Sequence, residues 1–585
     1  MCGVLPVPNI DPIRLEVIKN AFDTIADEMA LILMRAAHSP IVRDSMDFST
    51  ALCDAAGQTL AQGVTTPMHL GSFYDAMRHL IARYTGDVVA GDVFVGNDPY
   101  AAAGQHLPDF YIVQPIFILD RLVGWATTVA HHADVGGIVP GSNALGATEI
   151  IQEGIRVPFL KLEEAGKPDA KLWEMIALNV RVPEQMIGDL QAQIAACNAG
   201  RRGLTELMGR YGIDEVLRYG EELHDYAERL TRAEIREIPN GIYRFVDHLD
   251  GLGRNPVPIV FNCTIVVEDE TIRVDWTGSS KQVAGGINTP LPFTKAGVYT
   301  AVRSVLNSDI PNCHGFTRAI EVTAPAGTIV NSVYPAPTGG RGITGYRIID
   351  CIFGALAAVL PERVTADGMG GSSVPAFGGW HNGKPFVFSE TLMGTWGAAL
   401  THDGQEGVPH MGANQANVPV EMIEANFPLR IRRYGIVADT GGAGRFRGGN
   451  SLIREYEYLA EEGVLTMRSD KRDFPPHGLD GGHTGAGPIS LINPGPAQNA
   501  LPVLVTESVV LKRGDIFCHI TPSGGGRGDP LERDPRMVLD DVLEGKVSLQ
   551  RAHDAYGVVI VAEGREVWID QAATEQIRKR RLTRV

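Results

Sequence analysis

"FYIVQPIFILDRLVGWATTVAHHADVGG", residues 110–137, decides how this chain is read. Two apolar runs rich in β-branched and aromatic residues flank a polar break at Leu119-Asp120-Arg121. That pattern predicts two buried strands joined by a tight turn. If the turn closes there, residues whose numbers sum to about 240 or 241 stand opposite each other, with Cβ atoms roughly 4.5–5.5 Å apart. Asp109 then faces His131 or His132. These histidines are neighbours on one strand, so they point to opposite faces and only one can meet Asp109.

Just upstream, "NDPYAAAGQHLPDF" (97–110) gathers Asn97, Asp98, His106 and Asp109. On a straight strand His106 and Asp109 would diverge, but Gly104 and Pro108 argue for a bend that brings them together. Two imidazoles and a carboxylate form a donor set suited to Zn²⁺, Mn²⁺ or Fe²⁺ and less to Ca²⁺, which prefers oxygen alone. A further carboxylate is expected from "VRDSMDFS" (42–49), where Asp44 and Asp47 both qualify as ligands. Asp44 and Asp134 are also the candidate catalytic carboxylates, and Asp134 and Asn97 are candidates to orient imidazoles. The competing reading makes all of these turn-capping groups at strand ends.

The rest of the chain frames that site. It has 585 residues, too many for one core, with 44% hydrophobic and 21% charged residues, so a folded protein of several domains is expected. A net charge of -17 argues against binding to a phosphate backbone. The basic "IRKRRLTRV" (577–585) is expected to be a solvated tail. Seven dispersed cysteines without a C-x-x-C pair imply reduced thiols and a cytoplasmic protein. "MCGVLPVPNIDPIRLE" carries no signal-peptide pattern, and no apolar run is long enough for a membrane span.

Asp11-Pro12 reads as an N-cap and first helical residue. Ile18, Phe22, Ile25, Met29 and Ile32 then mark one face of a long helix ending near His38-Ser39-Pro40. "DFSTALCDAAGQTL" (47–60) reads as a strand entering a hairpin at Gly57. Helices are expected from about Trp173 to Arg236, broken near Pro183 and Gly212, followed by strand-like text. The expected fold is α+β, with several β-sheets and long N-terminal helices. Its expected divisions are an N-terminal metal-site region (1–238), a central α+β region (239–430) and a β-rich, glycine-rich region (431–585). "TPSGGGRGDP" (521–530) lacks the lysine of a phosphate loop and reads as a structural turn. "HDGQEGVPHMGANQANVPVE" (402–421) gathers His402, Asp403, His410, Asn414 and Asn417 as a second polar cluster or a plain loop. Cys313 beside His314 reads as a structural thiol. Residues 541–570 read as two short helices, with Ser548 as an N-cap, and a closing hairpin.

Several stretches together resemble the hydantoinase B/oxoprolinase family. They are "VRDSMDFSTALCD" (42–54), "GDVFVGNDPY" (91–100), "GQHLPD" (104–109), "AHHADVGG" (130–137), "EIIQEGIRVP" (149–158), "NQANVPVEMIEANFPLR" (414–430), "DTGGAGRFRGG" (439–449), "TPSGGGRGDPLERDP" (521–535) and "DVLEGKVSLQRAHDAYGVV" (541–559). The resemblance implies the metal-bearing subunit of an ATP-dependent enzyme in a hetero-oligomer. Its partner would be a hydantoinase A-like ATPase subunit that phosphorylates a carbonyl oxygen of a small cyclic amide or ketone. In members that hydrolyse hydantoins, lactams or 5-oxoproline, water attacks the activated carbon; ketone carboxylases of the acetone and acetophenone type are the alternative. A non-catalytic scaffold subunit is a third reading. By resemblance the ligands fall on His106, Asp109 and His131. Asp47 is the motif aspartate, and Asp44 stands where the family often has Glu. Between "NDPY" and His106 lie five residues, "AAAGQ", where many members have four.

Overall fold

The computed structural model describes residues 10–582 except 64, 65, 70, 308, 370–372, 497 and 565. Helix α1 (Pro12–Ala36) starts as its sequence dictates: the Asp11 carboxylate accepts the Ile13 N–H and Pro12 occupies the first turn. It buries Leu15, Ile18, Phe22, Ile25, Met29 and Leu33. A single turn, α2 (Pro40–Arg43), leads into β1 (Phe48–Cys53), which Gly57 at φ +82° returns as β2 (Thr59–Gln62). α3 (Ser72–Arg83) and β3 (Val93–Gly96) precede the hairpin β4 (Asp109–Ile118) and β5 (Arg121–His131). With β6 (Leu160–Glu164) and β7 (Lys167–Pro168) these strands form one sheet in the order β2-β1-β5-β4-β3-β6-β7, antiparallel throughout.

The hairpin turns on Leu119 and Asp120, both at positive φ (50° and 62°), the two-residue turn whose twist matches the strands. Its register places Asp109 opposite His131. Because the hairpin is covered on both faces, its text is continuously apolar rather than alternating. On one face packs the long α5 (Pro183–Tyr211), with α1 beside it over β1 and β2. On the other lie Phe73, Met77 and Leu80 of α3. The predicted helical zone resolves into α4 (Ala170–Leu178), α5 and α6 (Ile213–Arg236), parted where Pro183 and Gly212 were expected to interrupt it.

A second sheet, in the order β11-β10-β9-β8, follows from β8 (Gly241–Leu249), β9 (Ile259–Glu268), β10 (Thr271–Asp275) and β11 (Ile320–Thr323). α9 (Gly342–Leu356) packs on β8 and β9, and against α7 (Leu291–Val305); the one-turn α8 (His314–Thr317) lies on α6. Beyond it, β12 (Val374–His381) and β13 (Lys384–Ser389) join β18 (Glu462–Arg468) and β21 (Val509–Lys512) in a third sheet. The short β14 (Gly394–Thr395) and β15 (Glu406–Val408) pair with each other, and α10 (Val420–Asn426) leads to a five-stranded sheet. That sheet runs β16-β17-β22-β19-β20, from β16 (Leu429–Ile436), β17 (Leu452–Tyr458), β19 (Ile489–Ile492), β20 (Asn499–Ala500) and β22 (Ile516–Ile520). Phe377, Phe388, Tyr456, Tyr458 and Phe517 fill the core between these last two large sheets.

The fold is thus mixed α+β with several separate sheets. Near residue 238 the chain changes from helix to strand, but one hydrophobic cluster runs from Leu15 past that point to Leu360 and Leu504. After α11 (Pro535–Leu543) and α12 (Leu549–Tyr556), capped by Ser548 as expected, the hairpin β23 (Ile560–Glu563) and β24 (Glu566–Ile569) is not the end. A last helix, α13 (Gln571–Leu582), follows, so most of the basic run is ordered helix rather than a solvated tail. Arg578 donates to the carbonyls of Tyr556 and Arg533, and Arg581 to those of His553 and Asp554. Cations are drawn there because the last carbonyls of α12 lack intrahelical partners.

The glycine-rich 521–530 segment is a structural turn. The N–H groups of Gly524, Gly525, Gly526 and Arg527 go to the carbonyls of Gly449, Asp367, His483 and Phe446, leaving none of these four for a phosphate. The six described cysteines are buried and free; Cys2 lies outside the described residues. Among the described residues no helix is long and apolar enough to cross a membrane.

Candidate metal centre

β5 lies between β1 and β4, and the ends of these strands assemble the site. Phe48 pairs with Ala130, so Asp47 falls beside His131, whose N–H donates to the Asp47 backbone carbonyl at 3.0 Å. On the other side Asp109 faces His131. His132 takes the opposite face: its Nε2 lies 3.1 Å from Gln193 Oε1 on α5, with Phe110 against its ring. His106 joins by a tight turn in which the Asp109 N–H returns to the His106 carbonyl at 3.1 Å. The bend read from Gly104 and Pro108 is therefore present. His106 Nε2 lies 3.0 Å from Asp109 Oδ1, and the two histidine rings are 5.0 Å apart. One ligand atom from each of His106, Asp109 and His131 lies within 4.8 Å of the others.

The protonation states sharpen this geometry. His106 Nδ1 is 2.9 Å from the Gly339 carbonyl, which can only accept, so Nδ1 carries the hydrogen. Burial, helped by the Arg341 charge, pushes the His106 pKa down to about 4, so the ring is neutral near pH 7 and Nε2 bears a lone pair. Burial alone would raise Asp109, but the Arg341 charge beside it opposes this, and its carboxyl stands well below the usual range. A lone pair therefore faces an ionised carboxylate oxygen at 3.0 Å. A shared cation converts that repulsion into two bonds. His131, also held neutral by burial, has a buried Nδ1 with no hydrogen-bond partner. The three residues form a group that could hold a metal ion. Two neutral imidazoles and one carboxylate are a transition-metal donor set.

Other residues lock the cluster, and the sequence reading missed them. Arg341, at the start of α9, pairs with Asp109 Oδ2, reaches Gln105 Oε1 at 3.1 Å and lies 4.2 Å over the Phe293 ring. Glu153, fully buried, accepts the N–H groups of Thr338 (2.9 Å) and Gly339 (2.7 Å), fixing the carbonyl that fixes His106. Burial pushes the Glu153 pKa up to about 8. Glu153 stands within "EIIQEGIRVP", where no spacing marks it, and nothing marks Arg341 in "TGGRGITGYR" except the glycines around it.

Beside the triad is a small cavity whose walls include Asp47, His69, His131, Arg341, Tyr346 and Arg468. Burial and the nearby Asp109 push Asp47 up to about 7. His69 Nδ1 lies 2.8 Å from Ser49 Oγ, and burial pushes this ring down to about 4.

Several expected residues are placed elsewhere. Asp44 ends α2, where both its oxygens meet Arg43 (2.9 and 3.1 Å), and it does not line the cavity. Asp134 is bound by Arg181 through its Nη1 and backbone N–H, and by the N–H groups of Gly136 and Gly141. It shapes the "DVGG" turn and orients no imidazole. Asn97 spans three backbone groups, those of Leu107, Ile155 and Val157, and so anchors the segment leading to His106. Asp98 pairs with Arg156 at 2.5 Å. In the second cluster, His410 meets Asp350 at 3.2 Å while Asp403 binds Arg533; these are separate contacts. The Cys313 thiol donates to the Leu223 carbonyl in the core.

The family profile described as Hydantoinase B/oxoprolinase matches residues 11–530. Caprolactamase subunit beta of Pseudomonas jessenii is 32% identical over 588 residues, covering 97% of this chain and 98% of that one. The crystal structure of the ATP-dependent caprolactamase from Pseudomonas jessenii superposes with a TM-score of 0.90 at 29% identity, covering 98% of this chain and all of the matched one. Nucleotide-free acetone carboxylase superposes at 0.91 with 21% identity, over 98% of this chain and 84% of the other, a likeness of fold.

Proposed function

The chain belongs to the hydantoinase B/oxoprolinase family, and from that premise we propose that it is the metal-bearing hydrolytic subunit of an ATP-dependent cyclic amidase acting on a hydantoin, lactam or 5-oxoproline ring. One observation carries the reading: the neutral Nε2 of His106 faces the ionised Asp109 carboxylate at 3.0 Å, with His131 directly across the strand pair.

His106, Asp109 and His131 would hold the ion, with Asp47 as the added carboxylate. A divalent Zn, Mn or Fe ion would lower the pKa of a water towards about 7 and polarise the substrate oxygen. The protein residues do the remaining work. Arg341 keeps Asp109 ionised, Gly339 sets the His106 tautomer, and the buried walls exclude bulk water from the cavity. Amides are poor electrophiles, so a hydantoinase A-like partner that uses ATP to phosphorylate the ring carbonyl supplies the activation. The caprolactamase relative, named as a beta subunit, supports a shared assembly of this kind.

The test is metal analysis of the purified chain and its His106→Ala variant, with an ATPase screen of the complex across lactams, hydantoins and ketones. Loss of metal and of turnover together, in a folded variant, is expected; full turnover with full metal in the variant overturns the assignment. ATP turnover requiring a ketone and bicarbonate would place the chain among the carboxylases instead.

A further inference from the structure

One face of α9 meets the loop at 410–412. Tyr346, Ile349 and Asp350 are three and four positions apart, so they share that face. The His410 and Tyr346 rings lie 4.6 Å apart, centroid to centroid, and His410 Nε2 lies 3.2 Å from Asp350 Oδ1. Gly412 sits on Ile349 and Met68; a side chain there would lie 2.7 Å from an atom of each.

The tautomer of His410 is fixed. The Gly412 N–H donates to its Nδ1 at 3.1 Å, so Nδ1 carries the lone pair and the Nε2–H donates to Asp350. Burial alone would raise the Asp350 carboxyl, but the Lys471 charge beside it opposes this, and it stands well below the usual range. The bond from His410 therefore ends on a charge. Lys471 is fully buried, and its ammonium donates to Asp350 Oδ2 at 2.9 Å, to Asp367 and to the Gly368 carbonyl at 3.0 Å. Its neighbour Asp470 pairs with Arg347 of α9, so two consecutive residues grip that helix.

The His410 loop stands between two cavities. His410, Asp350, Asp367 and His477 line one. Tyr346, Met68 and Gln415 line the other, the cavity beside the triad. The Gly412 carbonyl accepts the Met68 N–H at 3.0 Å, so the loop supports the metal-side wall at two points, Tyr346 and Met68. Along α9, Tyr346 stands about 7.5 Å beyond Arg341, whose guanidinium pairs with Asp109.

We propose that His410 is a positioning residue of the metal cavity: clamped between Asp350 and Gly412, it sets the Tyr346 ring and the Met68 segment as the wall against which the substrate ring lies. This rests on reading that cavity as the substrate's. A neutral imidazole suits the role because each ring nitrogen has its own partner, so a flipped ring would lose both bonds. Misplacement of a substrate by about 1 Å costs on the order of 100-fold in turnover.

The test is ¹⁹F magnetic resonance of the full chain labelled with 3-fluorotyrosine, with Tyr346→Phe identifying its signal among the 15 tyrosines. His410→Ala should shift and broaden the Tyr346 signal. It should also quicken exchange of the Met68 amide hydrogen about 10-fold, as release of one hydrogen bond implies. His410→Gln, which can still donate to Asp350, should disturb both less. His477 lines the second cavity but meets Asp367, at 3.4 Å, and His477→Ala should leave both in place. Circular dichroism checks folding, and Asp350→Asn, which removes the charge at the other end of the bond, should shift the same signal with the loop sequence intact. An unmoved Tyr346 signal in the folded His410→Ala and Asp350→Asn variants, or an equal shift in His477→Ala, overturns the proposal. Co²⁺ tests the premise separately: bound at the triad, it should displace the wild-type Tyr346 signal by its paramagnetism. Should Co²⁺ leave that signal in place, the metal reading fails, and the variants still decide what His410 positions.

Discussion

The carbonyl of Gly339 accepts the Nδ1–H of His106 at 2.9 Å, across 233 positions of sequence. The N–H of the same glycine goes to Glu153. One peptide unit thus transmits the placement of a buried carboxylate to an imidazole tautomer.

Glu153→Gln should therefore loosen the metal centre without touching it. Partners of this indirect kind typically contribute about 10–100-fold in metal affinity, and a competitive chelator titration reads the change. Unaltered affinity would show that residues 338–341 are held by their other contacts.

The same substitution has a signature in pH. Glu153 has its ordinary value, 4.5, in the unfolded chain and about 8 in the folded one. Between these values the folded protein keeps a proton that the unfolded chain has lost. The resulting stability is complete below about pH 4.5 and disappears as pH rises through about 8. Asp470, pushed up by burial to about 6, adds to the lower part of that window. Denaturation midpoints of the wild type should fall from pH 5 to pH 8, and the slope should be shallower in Glu153→Gln.

Arg341 compensates Asp109 inside the protein, and removing one member of a buried ion pair costs about 3–5 kcal/mol. Arg341→Gln should lower the melting temperature of the metal-free protein. Mn²⁺ supplies a positive charge to the same carboxylate, so its stabilising effect should be larger in the variant than in the wild type. Equal increments on loading would mean that Asp109 does not meet the ion.

Asp44 and Asp47 separate cleanly. Asp44 is neutralised by Arg43 and sits outside the cavity; Asp47 is buried beside His131. Asp44→Asn should leave metal content unchanged, while Asp47→Asn should reduce it. The opposite result would move the ligand to the earlier position.

The hairpin was legible because period, turn and register are local properties. Two apolar runs around Leu119-Asp120 set the pairing to within one residue, which left Asp109 opposite His131 or His132. The family resemblance selected His131, and the register places Asp109 opposite it. The partners of Asp44 and Asp134 were not legible because a carboxylate's partner is decided by what lies near it in space. Arg43 and Arg181 claim them, and neither contact leaves a periodic trace in the sequence. Arg341, Glu153 and Arg468 were invisible for the same reason. Each reaches the site from a segment far from the hairpin, and a lone buried arginine or glutamate has no spacing to betray it.

The cavity takes its walls from positions as far apart as Asp47, Arg341 and Arg468. On the ribosome, the three triad residues emerge within the first quarter of the chain. The carbonyl that bonds one of them and an arginine of the cavity wall arrive hundreds of residues later. The triad is thus available to an ion before its enclosure exists. Mn²⁺ supplied during refolding should be incorporated faster than Mn²⁺ added to folded apoprotein, and once inside it should leave slowly.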